Sequence, residues 1–286
     1  MAAYLKRFLA RPVAAFGLVV LALLVLAAVF APQLAYQDPY DLAKVDILSS
    51  RLAPGTPSVD GYVHWMGTDD QGRDLFSAVL YGLRVSFLVA AIATSIALVI
   101  GVVAALAASY FGGKVDATLM RLADLQLAFP SVLTALVLVA LLGSGLEKVI
   151  IAITAAQWAY FARTLRSAAV VERAKEYIDA ARIMKFLSLR IMFRHLLPNS
   201  IAPLTVVIVV EIASAIALEA TLSFLGVGLP ITEPSLGLLI SNGYAYMLAQ
   251  QYWLSVYPGI VLLLLLLSVN VIGERMRQLN SPWVEQ

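Results

Sequence analysis

Few side chains in this 286-residue chain are of a type that could do covalent chemistry, and their spacing argues against it. Gly112-Gly113-Lys114 carries the glycines and lysine of a phosphate-cradling loop. Val115 stands where that loop needs Ser or Thr, however, and no upstream Gly is correctly spaced. Gly143-Ser144-Gly145 offers a hydroxyl nucleophile without a base. The two histidines, His64 and His195, fall in separate loops, so they provide neither a partner for that serine nor a conventional zinc site. Cysteine is absent, which removes disulfides, thiol catalysis and thiolate metal centres together. What remains informative is ionisable side chains in apolar company. Glu211 and Glu219 lie eight residues apart, which on a helix places them on nearly one face about 12 Å apart. A carboxylate in hydrocarbon is costly and usually faces a partner or a water-filled path. The pair are therefore candidates to line a path for cationic or amine-bearing solutes, the alternative being hydrogen bonds to neighbouring helices. Asp124, three residues after Arg121, reads as half of a structural ion pair.

The elements that must position these groups are membrane helices. With 61% hydrophobic and 13% charged residues and a mean hydropathy of +0.87, the chain lies far from soluble globular proteins and reads as an all-α integral membrane protein. Its basic residues sit in short loops beside apolar runs and form no continuous basic face, which argues against nucleic acid as a partner. Six segments approach the roughly 20 apolar residues needed to cross a bilayer: about 13–33, 83–111, 115–142, 147–170, 201–225 and 253–273. The first follows Lys6, Arg7 and Arg11, and its length and lack of a small-x-small site favour an uncleaved anchor over a signal peptide.

Counting charge orients the spans, with the three basic residues of the amino terminus placed inside. Loop 34–80 then lies outside with Lys44, Arg51 and Arg73 against seven Asp (residues 38, 41, 46, 60, 69, 70 and 74), a net of −4. Segment 163–199 lies inside with eight Lys/Arg (Arg163, Arg166, Arg173, Lys175, Arg182, Lys185, Arg190, Arg194) against Glu172, Glu176 and Asp179, a net of +5. Both termini are thus expected to be cytoplasmic, in a cell or inner membrane. The organisation expected is 1–34 as amino-terminal segment and first span, 35–82 as outer loop, 83–275 as five-span core with a loop at 171–199, and 276–286 as cytoplasmic tail. In the outer loop, Asp69, Asp70, Arg73 and Asp74 are candidates for a lid or docking surface, and a short amphipathic helix is expected from Asp74 into the second span.

Four motifs follow one another along the chain: Gly67-Thr68-Asp69-Asp70-Gln71-Gly72-Arg73-Asp74, Tyr81-Gly82-Leu83-Arg84-Val85-Ser86, Tyr110-Phe111-Gly112-Gly113 and Leu222-Ser223-Phe224-Leu225-Gly226-Val227-Gly228. With the loop before the fifth span they closely resemble the C-type permease subunit of dipeptide and oligopeptide ABC importers, from Gly67 to Leu279. The resemblance implies a type I importer permease core (MetI-like), pairing with a homologous second permease, two cytoplasmic ATPases that carry the ATP and Mg, and an extracytoplasmic solute-binding protein. It implies no cofactor on this chain and no enzyme activity of its own. Short peptides are the substrate it points to; nickel chelates, glutathione, opines or antimicrobial peptides are the alternatives, and an autonomous carrier would need half-to-half repeats that the chain lacks. The family's coupling loop carries Glu-Ala-Ala, a Gly six residues after that Glu, and Leu-Pro; here these positions hold Asp179-Ala180-Ala181, Lys185 and Leu197-Pro198-Asn199.

The residues of that loop also have a reading of their own. Glu172 to about Phe186 favours helix, and Arg190 to Leu197 a second short helix that should stop near Pro198. The two would form a knob for a moving partner to grip. Glu176, Asp179, Ala180, Ala181, Arg182, Lys185, Arg190, Arg194 and His195 are its expected contacts, with Ile191, Met192 and Phe193 as apolar anchors. A Gly at the turn would tolerate positive φ. Lys185 there would cost roughly 1 kcal/mol, unless the turn has another shape.

Overall fold

The computed structural model describes residues 7–41, 47–58 and 61–280. Lys6, Lys44, Asp46, Asp60 and residues 281–286 of the tail lie outside the described residues. Four described helices are long and apolar enough to cross a bilayer: Pro12–Val29, Leu75–Phe111, Leu204–Phe224 and Trp253–Leu279. The segment expected as one span at 115–142 is two helices, Gly113–Ala128 and Ser131–Leu142, meeting at 93°. The break follows from Pro130, which drives Phe129 into an extended conformation (φ −99°, ψ 140°). Counted together they would make a fifth span. Leu146–Arg173 is long enough at 28 residues, but Gln157, Tyr160, Arg163 and Arg166 dilute its apolar character, so length and hydropathy alone do not establish the sixth.

Helix Leu75–Phe111 organises the rest. Its 37 residues span about 55 Å, and the expected amphipathic helix is continuous with it rather than separate. Asp74 starts it as N-cap, accepting from the Ser77 amide at 2.8 Å; Gly112, at φ 65°, ends it. Leu146–Arg173 lies along it, and the two approach closely at Gly101. A Cβ there would stand 2.5 Å from Phe161 Cβ and 2.7 Å from the Trp158 carbonyl oxygen, so only glycine permits the approach. Val89, Ile153, Ile216 and Leu265 fill the core toward one end, and Leu106, Phe161, Leu165 and Met192 toward the other.

Polar side chains join these helices where the hydrophobic effect cannot, lipid being as apolar as the core. Thr94 donates to Gln157 Oε1 at 3.3 Å, and Gln157 Nε2 donates to the Glu211 backbone carbonyl at 2.7 Å. Asp124 pairs with Arg163 rather than with the adjacent Arg121. Arg166 Nε donates to Asp116 Oδ1 at 2.8 Å. Two of the eight basic residues counted in 163–199 are thereby taken up in clamping Gly113–Ala128 to Leu146–Arg173.

Candidate coupling surface

Segment 171–199 is built around Glu172. Its carboxylate accepts from the Tyr177 hydroxyl at 2.7 Å and pairs with Lys175 Nζ at 2.7 Å. Lys175 and Tyr177 hold the carboxyl below its usual range. Burial and the Glu172 bond push the Tyr177 phenol up to about 12. This clasp turns the chain between Arg173 and Glu176, with Lys175 extended (φ −80°, ψ 144°), so the single helix expected from Glu172 to Phe186 is two. Asn199 then ties the far end back, donating to the Tyr177 hydroxyl at 3.1 Å and the His195 carbonyl at 2.7 Å.

Helix Glu176–Ile183 ends in a Schellman motif. The Phe186 amide donates to the Ala181 carbonyl at 3.2 Å, and the Lys185 amide to the Arg182 carbonyl at 2.8 Å. Lys185 occupies the left-handed position, at φ 57°. The turn therefore has the shape a Gly would favour. Phe186 closes it over Ala181, Ile178 and Ile191, with Tyr110 packed alongside.

The second helix does not stop at Pro198. Ser188–Ile191 runs into a π turn, Met192–Leu196, and on into Leu197–Ser200, with Leu197 helical (φ −57°, ψ −52°). The Leu197 amide reaches back five residues to the Met192 carbonyl. This wider turn makes room for the proline ring, which would strike the carbonyl four residues back in a regular helix. The Ser200 hydroxyl donates to the Leu196 carbonyl at 2.7 Å.

The surface that results differs from the one expected in its apolar part. Met192 is 4% exposed and packs with Leu106 and Phe161, and Ile191 and Ala181 are buried as well. These three support the loop and cannot grip a partner. The exposed apolar side chains are instead Ile183 (81%), Met184, Leu187 (78%), Leu189 (68%) and Phe193, four of which the sequence reading missed. They cluster around the turn at Lys185, and the signal for them was a run of apolar residues inside a charged segment with no helical face to bury them. Glu176, Asp179, Ala180, Arg190 and Arg194 are exposed around this patch, while His195 is half-buried. Arg182 lies 3.6 Å from Asp179 and its guanidinium stacks on Tyr110, 5.0 Å from the ring centroid. Arg190 covers Phe186 at 4.6 Å, and His195 stacks against the same ring.

The motif Asp69–Asp74 behaves in the opposite way. Asp69 accepts from Arg73 Nε at 2.7 Å, the Arg73 amide at 2.8 Å and the Gln71 amide at 2.9 Å. Asp74 accepts from the Ser77 hydroxyl at 2.6 Å and lies 2.9 Å from His64 Nδ1. Asp69, Arg73 and Asp74 are all buried, Arg73 and Asp74 completely. They hold the outer loop onto the head of helix Leu75–Phe111 and are not surface groups, which corrects their assignment as a docking surface. Gly67 permits the fold at φ 81°, where a Cβ would stand 2.4 Å from the Leu52 carbonyl oxygen. Asp70 alone is partly open, with Asn242 Nδ2 at 3.5 Å.

Glu211 and Glu219 are both buried within the chain. Glu219 accepts from Ser86 at 2.8 Å and from Ser223 at 3.0 Å, linking helix Leu204–Phe224 to Leu75–Phe111. This is the helix-bridging alternative. Glu211 Oε2 is buried with no hydrogen-bond partner among the described residues.

Residues 97–286 match the family described as the binding-protein-dependent transport system inner membrane component. Residues 2–54 match the N-terminal TM domain of oligopeptide transport permease C. A putative peptide transport system permease protein of Brucella suis is 38% identical, over 97% of this chain and 90% of its own length. The dipeptide transport system permease protein DppC of Alkalihalophilus pseudofirmus is 36% identical over 93% of this chain and 84% of its own. The oligopeptide transport system permease protein OppC of Bacillus subtilis is 33% identical over 96% and 87%. Among solved structures, the MetNI methionine ABC transporter in an inward facing conformation superposes with a TM-score of 0.53, covering 72% of this chain and 96% of that one at 18% identity, a likeness of fold. The chain thus has the fold of an ABC transporter's membrane subunit. It belongs to the family of inner membrane components of binding-protein-dependent transport systems.

Proposed function

We propose that the chain is one permease half of an ATP-driven importer of short peptides, forming the path with a second, homologous permease and driven by two cytoplasmic ATPases that bind ATP and Mg. An extracytoplasmic binding protein delivers the solute. Relatives at 33–38% identity named as peptide, dipeptide and oligopeptide permeases support the substrate class. In this reading the chain crosses the inner membrane six times with both termini inside, Leu146–Arg173 and the bent pair serving as two of the crossings.

The observation that carries the reading is the apolar patch at Ile183, Met184, Leu187, Leu189 and Phe193, rimmed by Arg190 and Arg194. An exposed cluster of large apolar side chains within a basic loop marks a protein-docking surface. An ATPase cleft that closes on this patch would move helices Leu146–Arg173 and Leu204–Phe224 together, because Met192 and Leu196 pack into the same core as Phe161 and Leu204. Asp179, Ala180, Arg182, Lys185 and His195 shape the patch, and Glu211 and Glu219 act on the path through helix packing.

Purification in mild detergent from the native membrane tests this, with co-purifying subunits identified by mass spectrometry. The expected result is a second permease, nucleotide-binding subunits and ATPase activity stimulated by a peptide-loaded binding protein. Replacing Arg190 and Arg194 together by Glu is expected to abolish uptake while the chain still inserts. Wild-type uptake by that variant would overturn the coupling role, and a chain that carries solute alone in liposomes would overturn the importer.

A further inference from the structure

A cleft of about 300 Å³ opens beside the head of helix Leu75–Phe111. Tyr40 of the outer loop, Tyr81, Arg84 and Glu233 supply its polar groups, and Leu88 and Leu146 its apolar wall. Tyr40 and Tyr81 meet edge to face with centroids 5.5 Å apart, which makes the aromatic side of the cleft firm. Two opposite charges therefore line one small space without pairing. Neither Arg84 nor Glu233 has a side-chain partner among the described residues. Both are felt at the Tyr40 hydroxyl: burial first and then the Glu233 carboxylate push its pKa up, while Arg84 pulls it down. The one other carboxylate acting there, Asp38, accepts the Tyr40 amide at 3.0 Å and does not line the cleft.

Opposite charges that line one cleft with an apolar wall and form no ion pair with each other match a ligand that carries both signs at its ends. The volume falls at the low end for small-molecule sites, the range of a di- or tripeptide. We propose that this cleft binds a free short peptide beside the head of helix Leu75–Phe111, its α-carboxylate on Arg84, its α-ammonium on Glu233 and a side chain against Tyr40 and Tyr81. The proposal rests on the peptide-import reading and deepens it. It gives this chain a part in selecting unblocked peptides after the binding protein releases them. A charge pair offered by the second permease is the competing occupant, and the test separates the two.

The assembled transporter, in nanodiscs and without binding protein, is irradiated with a dialanine analogue bearing a photoreactive group, and labelled residues are mapped by mass spectrometry. Labelling is expected at the cleft, competed by dialanine and not by N-acetyl-dialanine amide. Arg84→Gln and Glu233→Gln should each weaken labelling by about ten- to a hundredfold, the size of one lost charge-assisted hydrogen bond, with subunit association and ATPase activity retained. Labelling elsewhere, equal competition by the blocked peptide, unchanged affinity in both variants or loss of the second permease from either variant would overturn the proposal. Dialanine uptake by wild-type proteoliposomes supplied with the binding protein is measured in parallel. Uptake without cleft labelling removes this inference alone, whereas absence of uptake removes the reading beneath it.

Discussion

The outer motif Asp69–Asp74 and the turn around Lys185 both invert the usual placement of side chains, in opposite senses. In the first, an Arg and two Asp are buried, Asp69 bonding Arg73 and backbone amides and Asp74 bonding His64 and Ser77. In the second, five large apolar side chains stand in the open around a strained residue. Every carboxylate oxygen of Asp69 and Asp74 is engaged within the chain, although Arg73 Nη1 and Nη2 are buried with no hydrogen-bond partner among the described residues, and removing one member of such a buried set is strongly destabilising. Exposed apolar surface is open and is completed by something else. Charge in a loop is thus a poor guide to which side chains are left at the surface.

Breaking the closed region should have the largest effect on stability. Asp74→Ala removes the cap of a 37-residue helix and leaves His64 Nδ1, the Ser77 amide and its hydroxyl without their acceptor. A loss of about 3–5 kcal/mol is expected, read as a lower unfolding midpoint in detergent and reduced accumulation in the membrane. Stability unchanged to within 1 kcal/mol, roughly the worth of a cap alone, would mean that the motif does not hold this end of the fold together.

Lys185→Gly sharpens the other side of the comparison. Relief of the left-handed strain at φ 57° should raise stability by about 1 kcal/mol, visible as a small rise in the unfolding midpoint. A fall instead would show that the lysine makes contacts that outweigh the strain. The smallest effect on folding is expected from Leu187→Ser, within about 0.5 kcal/mol, since the side chain is 78% exposed. Its effect on ATP-driven uptake should be large. Full uptake by that variant would mean that the patch is not where the driving subunits hold the chain.

Much of the fold was legible as sequence because membrane helices are written in long apolar runs. Pro12–Val29, Leu204–Phe224 and Trp253–Leu279 fall close to their expected places. The bend in the third apolar segment was not legible, because a run of apolar residues carries no sign of direction and Pro130 turns it by 93°. Within segment 171–199, the turn at Lys185 was legible from the position of the family's glycine. The break at Lys175 was not, because it depends on Glu172 capturing Tyr177 and Lys175 in space.

The chain's composition, its apolar runs and its ordered motifs by themselves determined that this is a membrane protein and which family it belongs to. These are properties of residue type and short-range spacing, set by the energy of placing each group in hydrocarbon or water. Tertiary structure alone decided that Met192 and Ile191 point inward and Leu187 and Leu189 outward, that Asp69 pairs with Arg73 while Asp74 bonds His64 and Ser77, and that Arg84 and Glu233 share a cleft. Such outcomes depend on which distant segments meet, and a π turn or a single hydrogen-bonded clasp is enough to rotate a side chain from one face to the other.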